Sequence, residues 1–566
     1  MLIWYLLFFC SIPPVFYLLE RQDLFHRLKL ALQTRTISTG ILNYGDMGAI
    51  LKELGFVRLV ENDETRFHRS NKQGEDDENS LELIPFQKKR RVDSFLYAVN
   101  PFGRTGMLRE FFPNGLVEKK GWPVLSIKVP ESDLNDPEKG LLEHRDQRGQ
   151  EWERKAEMLL VKDGDVLLYS TVGLRMHGGK RRLSKHLPDY RLYFRKKYGI
   201  EAIPSGTLPG LDIPVFTLVV KNLDWPEGYP MNTPLAFDLS ERIGAIVPES
   251  SLVELYVNGK SVGMAYVTEH LSRRQWNQRI KHHDYMYYKY KSDNLFSDKK
   301  IFTKNFWVAA QKRSDFGMSS VGASIDLDNF TRHIFSSVFN GTTDNCQGVA
   351  IFDLKNSSAK MQWINWDMDH SFFDLKAQSQ NLERENWEQE GFRLVYSSHG
   401  TNCDRHVLFS RLINESSEYR SYFINIVSEI LNHKLNREFL LSRVEYYQKM
   451  LGNYGDPRAD YIIMLKKYMD NRSMFLRQEM LKELNLKKIF SCKIKNLSRS
   501  PIKVDGYIYY KDFTGSYFKG QKVIVDLDKN SKQNFLYWLV NGQRIANHHF
   551  EFIIEDDTTI QAVYKN

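Results

Sequence analysis

Cysteine is scarce in this chain: four among 566 residues, at Cys10, Cys346, Cys403 and Cys492. They lie far apart and form no CxxC pair, so neither a disulfide framework nor a cysteine-built zinc site is implied. The standard nucleotide signatures are missing too. There is no GxGxxG, no HRD and no DFG, and no Walker A loop. Without an arginine stripe, zinc-finger spacing or RNP-like aromatic motif, nucleic acid is not an expected partner. Charge of one sign is also lacking. Lys and Arg number 79 against 70 Asp and Glu, and the net +9 is spread along the chain. That balance fits an anionic substrate such as a nucleotide, and it fits a solvated surface equally well.

What is present is an ordinary globular composition, 42% hydrophobic and 26% charged, with 13% aromatics that suit β-rich packing. The length calls for several domains. The only long uncharged apolar run is the first nineteen residues, interrupted by Pro13-Pro14. It is near the lower limit for a spanning helix. It lacks the charged n-region and small-residue cleavage site of a secretory signal, so an uncleaved membrane anchor is expected. Arg21, Arg27, Lys29 and Arg35 follow it and favour a cytoplasmic face by the positive-inside rule. The expected location is a bacterial-type inner membrane, or the cell envelope if the segment is removed.

The organisation falls into four stretches: the anchor at 1–19, a linker and α/β segment at 20–120, a larger domain at 121–488, and a small all-β module at 489–566. The acidic run from Glu61 to Ser80 and the basic Gln87–Arg91 read as solvated linker. From Trp122 the segments WPVLSIKV, AEMLLV, VLLYSTVGLRM, DYRLYF, VFTLVV, LVELYV and MAYVTEH are strand-like, and Val257-Asn258-Gly259-Lys260 is a type I′ hairpin signal. A helix is expected near Asp326–Phe339. Apolar residues then recur at helical spacing from Val407 to Leu484. An N-terminal antiparallel sheet, a hairpin and C-terminal helices make an α+β fold.

The hairpin carries the chemistry. VAIF and MQWIN flank the turn-prone Lys355–Ser358, and folding about that turn brings Asp344 beside Asp367. Adjacent carboxylates repel unless a cation joins them, and Mg²⁺ takes such oxygens together with phosphate. Asp367 or Asp369 is a candidate metal ligand. Asp344 is a candidate for the acceptor hydroxyl, and Gln347 or Asn345 for an auxiliary metal or phosphate contact. Upstream, His177-Gly178-Gly179-Lys180-Arg181-Arg182 is a glycine turn bearing cations, followed by a strand with Arg191. Taken alone, paired aspartates at a hairpin end also serve as turn caps, and a basic glycine turn is generic.

The ordered set RGQEWERKAEMLL, VGLRMHGGKRR, DYRLYFRKKYG, VELYVNGKSVGMAYVTEHLSRRQW and DNCQG…WINWDMDHSFF closely resembles the spore coat protein H (CotH) kinase family, over roughly Trp122 to Leu484. The resemblance implies a divergent protein-kinase-like fold. It also implies transfer of phosphate from ATP to serine in protein substrates with Mg²⁺, or Mn²⁺ in its place. It assigns Asp344 as the catalytic-loop aspartate and Asp367, twenty-three residues on, as the metal-binding one. Glu269 resembles the glutamate that supports the nucleotide-binding cation. The family usually has lysines just before the YRLYF-like strand, where this chain has Pro188 and Asp189. The nearest cations are Lys185 and Arg191, with Lys180 behind them. The expected partners are ATP, a protein phosphoacceptor and a membrane. Two rivals stand beside the kinase: a pseudokinase or scaffold, and a cell-envelope binding protein.

Overall fold

Among the described residues, four hairpins turn on a dipeptide whose residues both have positive φ: Asp163-Gly164, Asn258-Gly259, Asp505-Gly506 and Asn541-Gly542. That is the type I′ geometry, whose twist matches the strands it joins. The computed structural model describes residues 56–58, 96–98, 103–116, 122–179, 183, 188–223, 231–279, 285–290, 316–342, 348–353, 360–373, 384–397, 404–451, 459–496, 500–528 and 534–565. The N-terminal apolar run, Lys180, Lys185, Asp344, Asn345, Cys346 and Gln347 lie outside them. Among the described residues no helix is long and apolar enough to cross a membrane. The chain divides into two compact units, Met1–Gly228 with Glu249–Lys281, and Tyr229–Pro248 with His282–Asn566.

In the first unit, β1 (Phe56–Arg58) pairs with β2 (Leu96–Ala98), and helix α1 (Gly103–Phe111) follows. Next come β3 (Pro123–Lys128) and the short helix α2 (Glu131–Asn135). The remaining strands are β4 (Arg154–Lys162), β5 (Asp165–Met176), β6 (Tyr190–Tyr193), β7 (Thr217–Asn222), β8 (Ser250–Val257) and β9 (Lys260–Glu269). The expected strands are all present. Their assembly adds to the antiparallel sheet expected, because β3 also pairs parallel with β8, Val124 opposite Glu254 and Ile127 opposite Val257. That seam closes a barrel in the order β3-β4-β5-β6-β7-β9-β8. Alternation then sorts the side chains. Met158, Leu192, Leu218, Val220 and Val267 fill the interior. Leu159 and Val161 face outward against Met107 and Phe111 of α1.

The second unit begins with helix α3 (Asn232–Ile243). The first unit also holds α4 (Arg273–Arg279), which follows β9. In the second unit β10 (Tyr285–Tyr290), β11 (Gly348–Asp353) and β12 (Gln362–Ile364) form an antiparallel sheet. Its register sets Val349 opposite Ile364, Ala350 opposite Trp363 and Ile351 opposite Gln362, centred between residues 356 and 357 as the turn residues predict. Helix α5 (Leu327–Asn340) starts where Asp326 accepts the Asn329 N–H at 3.0 Å and ends at Gly341, φ +62°. The later helices are α6 (Asp404–Glu415), α7 (Ser417–Glu429), α8 (Arg437–Leu451) and α9 (Ala459–Glu483).

Arg472 of α9 is fully buried. Its guanidinium donates to the carbonyls of Val338 (2.6 Å), Phe339 (3.1 Å), Trp387 (2.8 Å) and Gln389 (2.6 Å). Two of those carbonyls belong to the last turn of α5, where the helix dipole is negative and favours a cation, and the Tyr468 (5.5 Å) and Phe475 (5.6 Å) rings lie against the guanidinium.

Beyond α9, strands β13 (Ile489–Lys495), β14 (Ile502–Val504), β15 (Tyr507–Tyr509), β16 (Phe513–Phe518), β17 (Lys522–Leu527), β18 (Phe535–Val540), β19 (Gln543–Ile545), β20 (His549–Ile553) and β21 (Thr558–Tyr564) form two sheets, ordered β16-β13-β21-β18-β19 and β15-β14-β17-β20. They enclose their own core around Trp538, Ile494, Val525 and Ile560. Cys492 sits in it, its thiol pushed up to about 12 by burial. Polar contacts join these sheets to the helices. His433, in the π turn Ile430–Lys434, stacks between Tyr507 (4.6 Å) and Phe513 (5.3 Å) and bonds the Tyr509 hydroxyl (2.6 Å) and Asp505 (3.2 Å). Asn432 bonds the backbone of Ser516 on both sides.

Candidate functional site

The carboxylate half of the expected site is a turn that leaves β12. Asp367 has φ +56°, the left-handed region that side chains rarely adopt. Such a conformation persists only where the surroundings fix it, and here both flanks are clamped. Asn329 grips Trp363 by accepting its N–H (2.6 Å) and donating to its carbonyl (3.1 Å). The Asn365 side chain bonds His333 Nδ1 (2.5 Å) and the Ser336 hydroxyl, and the Asn365 N–H donates to Ile246 O (2.8 Å). Beyond the turn, Asn232 donates to the Asp369 carbonyl (3.1 Å) and is held by the Tyr461 hydroxyl (2.6 Å). Phe372 N–H donates to Asn340 O (2.7 Å), and the Ser371 and Thr342 hydroxyls meet at 2.9 Å. Met368 is buried, while Asp367 and Asp369 are half-buried. The fold thus keeps two carboxylates at the surface of a rigid turn.

His333 explains part of that rigidity. Burial and the neighbouring Arg405 hold its pKa well below the ordinary histidine value. Arg405 Nη1 lies 2.5 Å from Nε2, and an arginine can only donate, so the ring is a neutral acceptor there.

Of the expected cations, Arg191 lies in the first unit, on the outer face of the barrel. A cleft of about 110 Å³ is lined by Arg148, Arg175, His177, Gly178, Arg191 and neighbours, with no carboxylate among the lining residues. Arg191 donates to His177 Nδ1 (2.9 Å) and to the Tyr193 hydroxyl (3.2 Å). Arg175 is held by Glu153, which is almost wholly buried and also takes Arg195 (2.9 Å) and the Tyr198 hydroxyl (2.8 Å). Burial pushes the Glu153 carboxyl up, but the bonds from Tyr198 and Arg175 and the nearby guanidinium charges outweigh it, leaving the pKa below the usual value. Asp189, in the stretch where lysines were expected, is buried and accepts the Asn222 N–H (2.9 Å).

Glu269 is not brought to Arg191. It stands opposite Leu218, an interior position, whereas Arg191 pairs with Val219 and faces outward. Its partner is Arg279 of α4, a residue that sequence reasoning passed over because nothing in helical periodicity marks it. The fully buried Glu269 also accepts the Glu249 N–H (3.0 Å). Glu249 itself is raised to about 7, by burial first, against the pull of Arg279 and with added repulsion from Glu269. A carboxyl raised in the folded state contributes stability that is complete below its unfolded pKa and lost as pH rises through the folded one. The barrel is therefore expected to become less stable as pH rises from about 5 to 7, and Glu249→Gln is expected to flatten that slope in urea titrations taken at several pH values.

The structure accordingly brings Arg191 together with His177 and Gly178, and sets Asp367 and Asp369 on one turn after β12. Asp344, Gln347, Lys180 and Lys185 lie outside the described residues. Among the described residues no group of three or more His, Cys, Asp or Glu side chains is placed to hold a metal. Two surface carboxylates nonetheless suit Mg²⁺, which keeps its waters and is held by one or two carboxylates plus substrate phosphates. A family model described as CotH kinase protein matches residues 174–476, more than half of the chain. No curated protein matches it.

Proposed function

The chain belongs to the CotH kinase family, and from that membership we propose that it is an atypical kinase. It would move the γ-phosphate of ATP to a Ser or Thr hydroxyl of a protein, within a divergent kinase-like fold tethered by the N-terminal apolar run. The observation that carries this reading is Asp367, held in a strained conformation by clamps on both sides. Strain of that kind gathers where a side chain must be aimed.

In this reading Asp367 holds Mg²⁺, with Asp369 and Gln347 as auxiliary oxygens. The ion, when bound, neutralises charge on the phosphates. Asp344 orients the acceptor hydroxyl. The hydroxyl oxygen forms its bond to the γ-phosphorus as the bond from phosphorus to the bridging oxygen breaks; the proton passes to the Asp344 carboxylate and ADP leaves. Arg191, with Lys180 and Lys185 nearby in sequence, steadies the phosphates, and Glu269 fixes the barrel end through Arg279. A loose phosphoryl transition state asks mainly for positioning and charge neutralisation, which these groups supply.

One observation favours a second reading, a nucleotide-binding protein that does not transfer phosphate. Glu269 is paired with Arg279, and Arg191 faces the other side of the barrel wall. Incubation with γ-labelled ATP and Mg²⁺ or Mn²⁺ separates the two. Label incorporated by the wild type and lost in Asp344→Ala supports the kinase. Nucleotide-dependent thermal stabilisation with no label incorporated supports the second.

A further inference from the structure

The cleft on the barrel's outer face holds a cation to which the family's pattern gives no role. One wall is the loop from Gly140 to Gly149, and it is firmly built. Asp136 caps the N–H groups of Glu138 (2.9 Å) and Lys139 (3.1 Å). The N–H groups of Leu141 and Leu142 bond Asp133 O (2.9 Å) and Leu134 O (2.8 Å). Leu141 is buried, and His144 donates to Pro137 O (2.7 Å) while its ring lies 5.0 Å from that of Trp152. A Cβ at Gly140 would stand 2.5 Å from Asp136 N, so no side chain fits there against the packed backbone.

At its end this platform presents Arg148, exposed and, among the described residues, without a carboxylate partner. Across the cleft stands Arg191, whose bonds run to a tyrosine hydroxyl and a histidine nitrogen and to no carboxylate among the described residues. Three guanidinium groups line this cavity, those of Arg148, Arg175 and Arg191, against the Glu153 carboxylate that holds Arg175 and the Glu151 carboxylate beside Gly149, so positive charge is in excess and a bound anion lowers the repulsion. The guanidinium fork matches phosphate oxygens in pairs. Gly178, φ +104°, and Gly179, where a Cβ would meet nothing within 4 Å, leave the backbone open to close approach. The cavity is too large to be a single-water void.

We propose that Arg148 is a phosphate ligand of this cleft and binds, together with Arg191, one chain of phosphoryl groups. Arg148 lies upstream of the family match at 174–476. The choice of a nucleotide as the source of those phosphates rests on the kinase reading; the charge and shape of the cleft do not. A phosphorylated side chain presents the same chemistry.

The test is isothermal titration of the full chain with ATP, inorganic tripolyphosphate and phosphoserine, each with and without Mg²⁺. The proteins are wild type, Arg148→Met, Arg191→Met, Asp367→Ala and the control Lys260→Met, on the β8–β9 turn. ATP and tripolyphosphate are expected to bind, to weaken at least about tenfold in each arginine variant, and to be unchanged in the control. If Arg148→Met binds within about twofold of wild type, with its melting temperature intact, the proposal is overturned. If both arginine variants bind ATP normally but Asp367→Ala does not, the cleft assignment falls and the kinase reading survives. If tripolyphosphate or phosphoserine binds and is lost in Arg148→Met while ATP never binds, the cleft stands and its ligand is not a nucleotide. A wild type that binds none of the three overturns the cleft.

Discussion

Asp367→Gly is expected to lower phosphoryl transfer by on the order of a thousandfold or more while leaving the protein as stable as before, or slightly more so. The first half follows from the proposed role of Asp367 as a metal carboxylate, since the charge stabilisation a metal supplies is worth several kcal/mol and about 1.4 kcal/mol is tenfold in rate. The second half follows from the backbone. Asp367 sits at φ +56°, and the left-handed region costs a side chain roughly 1–2 kcal/mol, somewhat less for Asp. Glycine removes that cost but adds freedom to the unfolded chain worth roughly 0.5–1 kcal/mol. The two nearly cancel, so a turn residue that only shaped the fold would show no loss of function on this change. Asp367→Asn separates charge from conformation, because Asn tolerates the same φ. It should keep stability and lose transfer. Label transfer and thermal melts on the same preparations decide it: full transfer by the glycine variant, or a melting temperature several degrees lower with transfer intact, would sink the assignment.

The second large effect is on stability. Arg472→Met is expected to destabilise the second unit by about 3 kcal/mol, since hydrogen bonds to charged groups contribute roughly 1.5–3 kcal/mol each and part is offset by no longer burying the charge. The four carbonyls it serves keep α5 against the segment Asn386–Glu388. Phe339 O retains the Tyr468 hydroxyl (2.6 Å) and Gln389 O retains the Gly391 N–H (2.7 Å), which limits the loss. For a unit of this size the melting temperature should fall by roughly 5 °C. Arg472→Lys, with a point charge in place of the fork, should fall between the two. A differential-scanning trace for Arg472→Met that overlays the wild type would show the arginine to be a passenger.

Much of the fold was legible because turn chemistry and periodicity are local. The Lys355–Ser358 turn specifies the β11–β12 register, and Asn258-Gly259 marks its hairpin. The helix expected near Asp326–Phe339 is α5, and Asp326 proves to be its N-cap. Barrel closure was not legible. It depends on Val124 meeting Glu254, far apart in sequence, and alternation with a period of two reads the same in an open sheet and a closed one. For the same reason alternation put Arg191 and Glu269 on strands without revealing that they face opposite sides. Arg472 read as one more polar position on a helix, because periodicity does not distinguish a solvated arginine from one that bonds four carbonyls. Arg148 lay within the quoted RGQEW stretch but on a loop, where no period exists to aim it.

The stacking of His433 between Tyr507 and Phe513 bears on how freely such chains can be recombined. A cassette is interchangeable when its boundary is greasy and non-directional, or wet and loose. This boundary is neither. A foreign β sheet grafted after α9 would leave a buried imidazole without its aromatic sandwich and its hydroxyl, and Asn432 without the strand backbone it reads on both sides. Helix and sheet at this junction are therefore a matched pair, and a working chimera has to carry the Ile430–Lys434 turn along with the strands it serves.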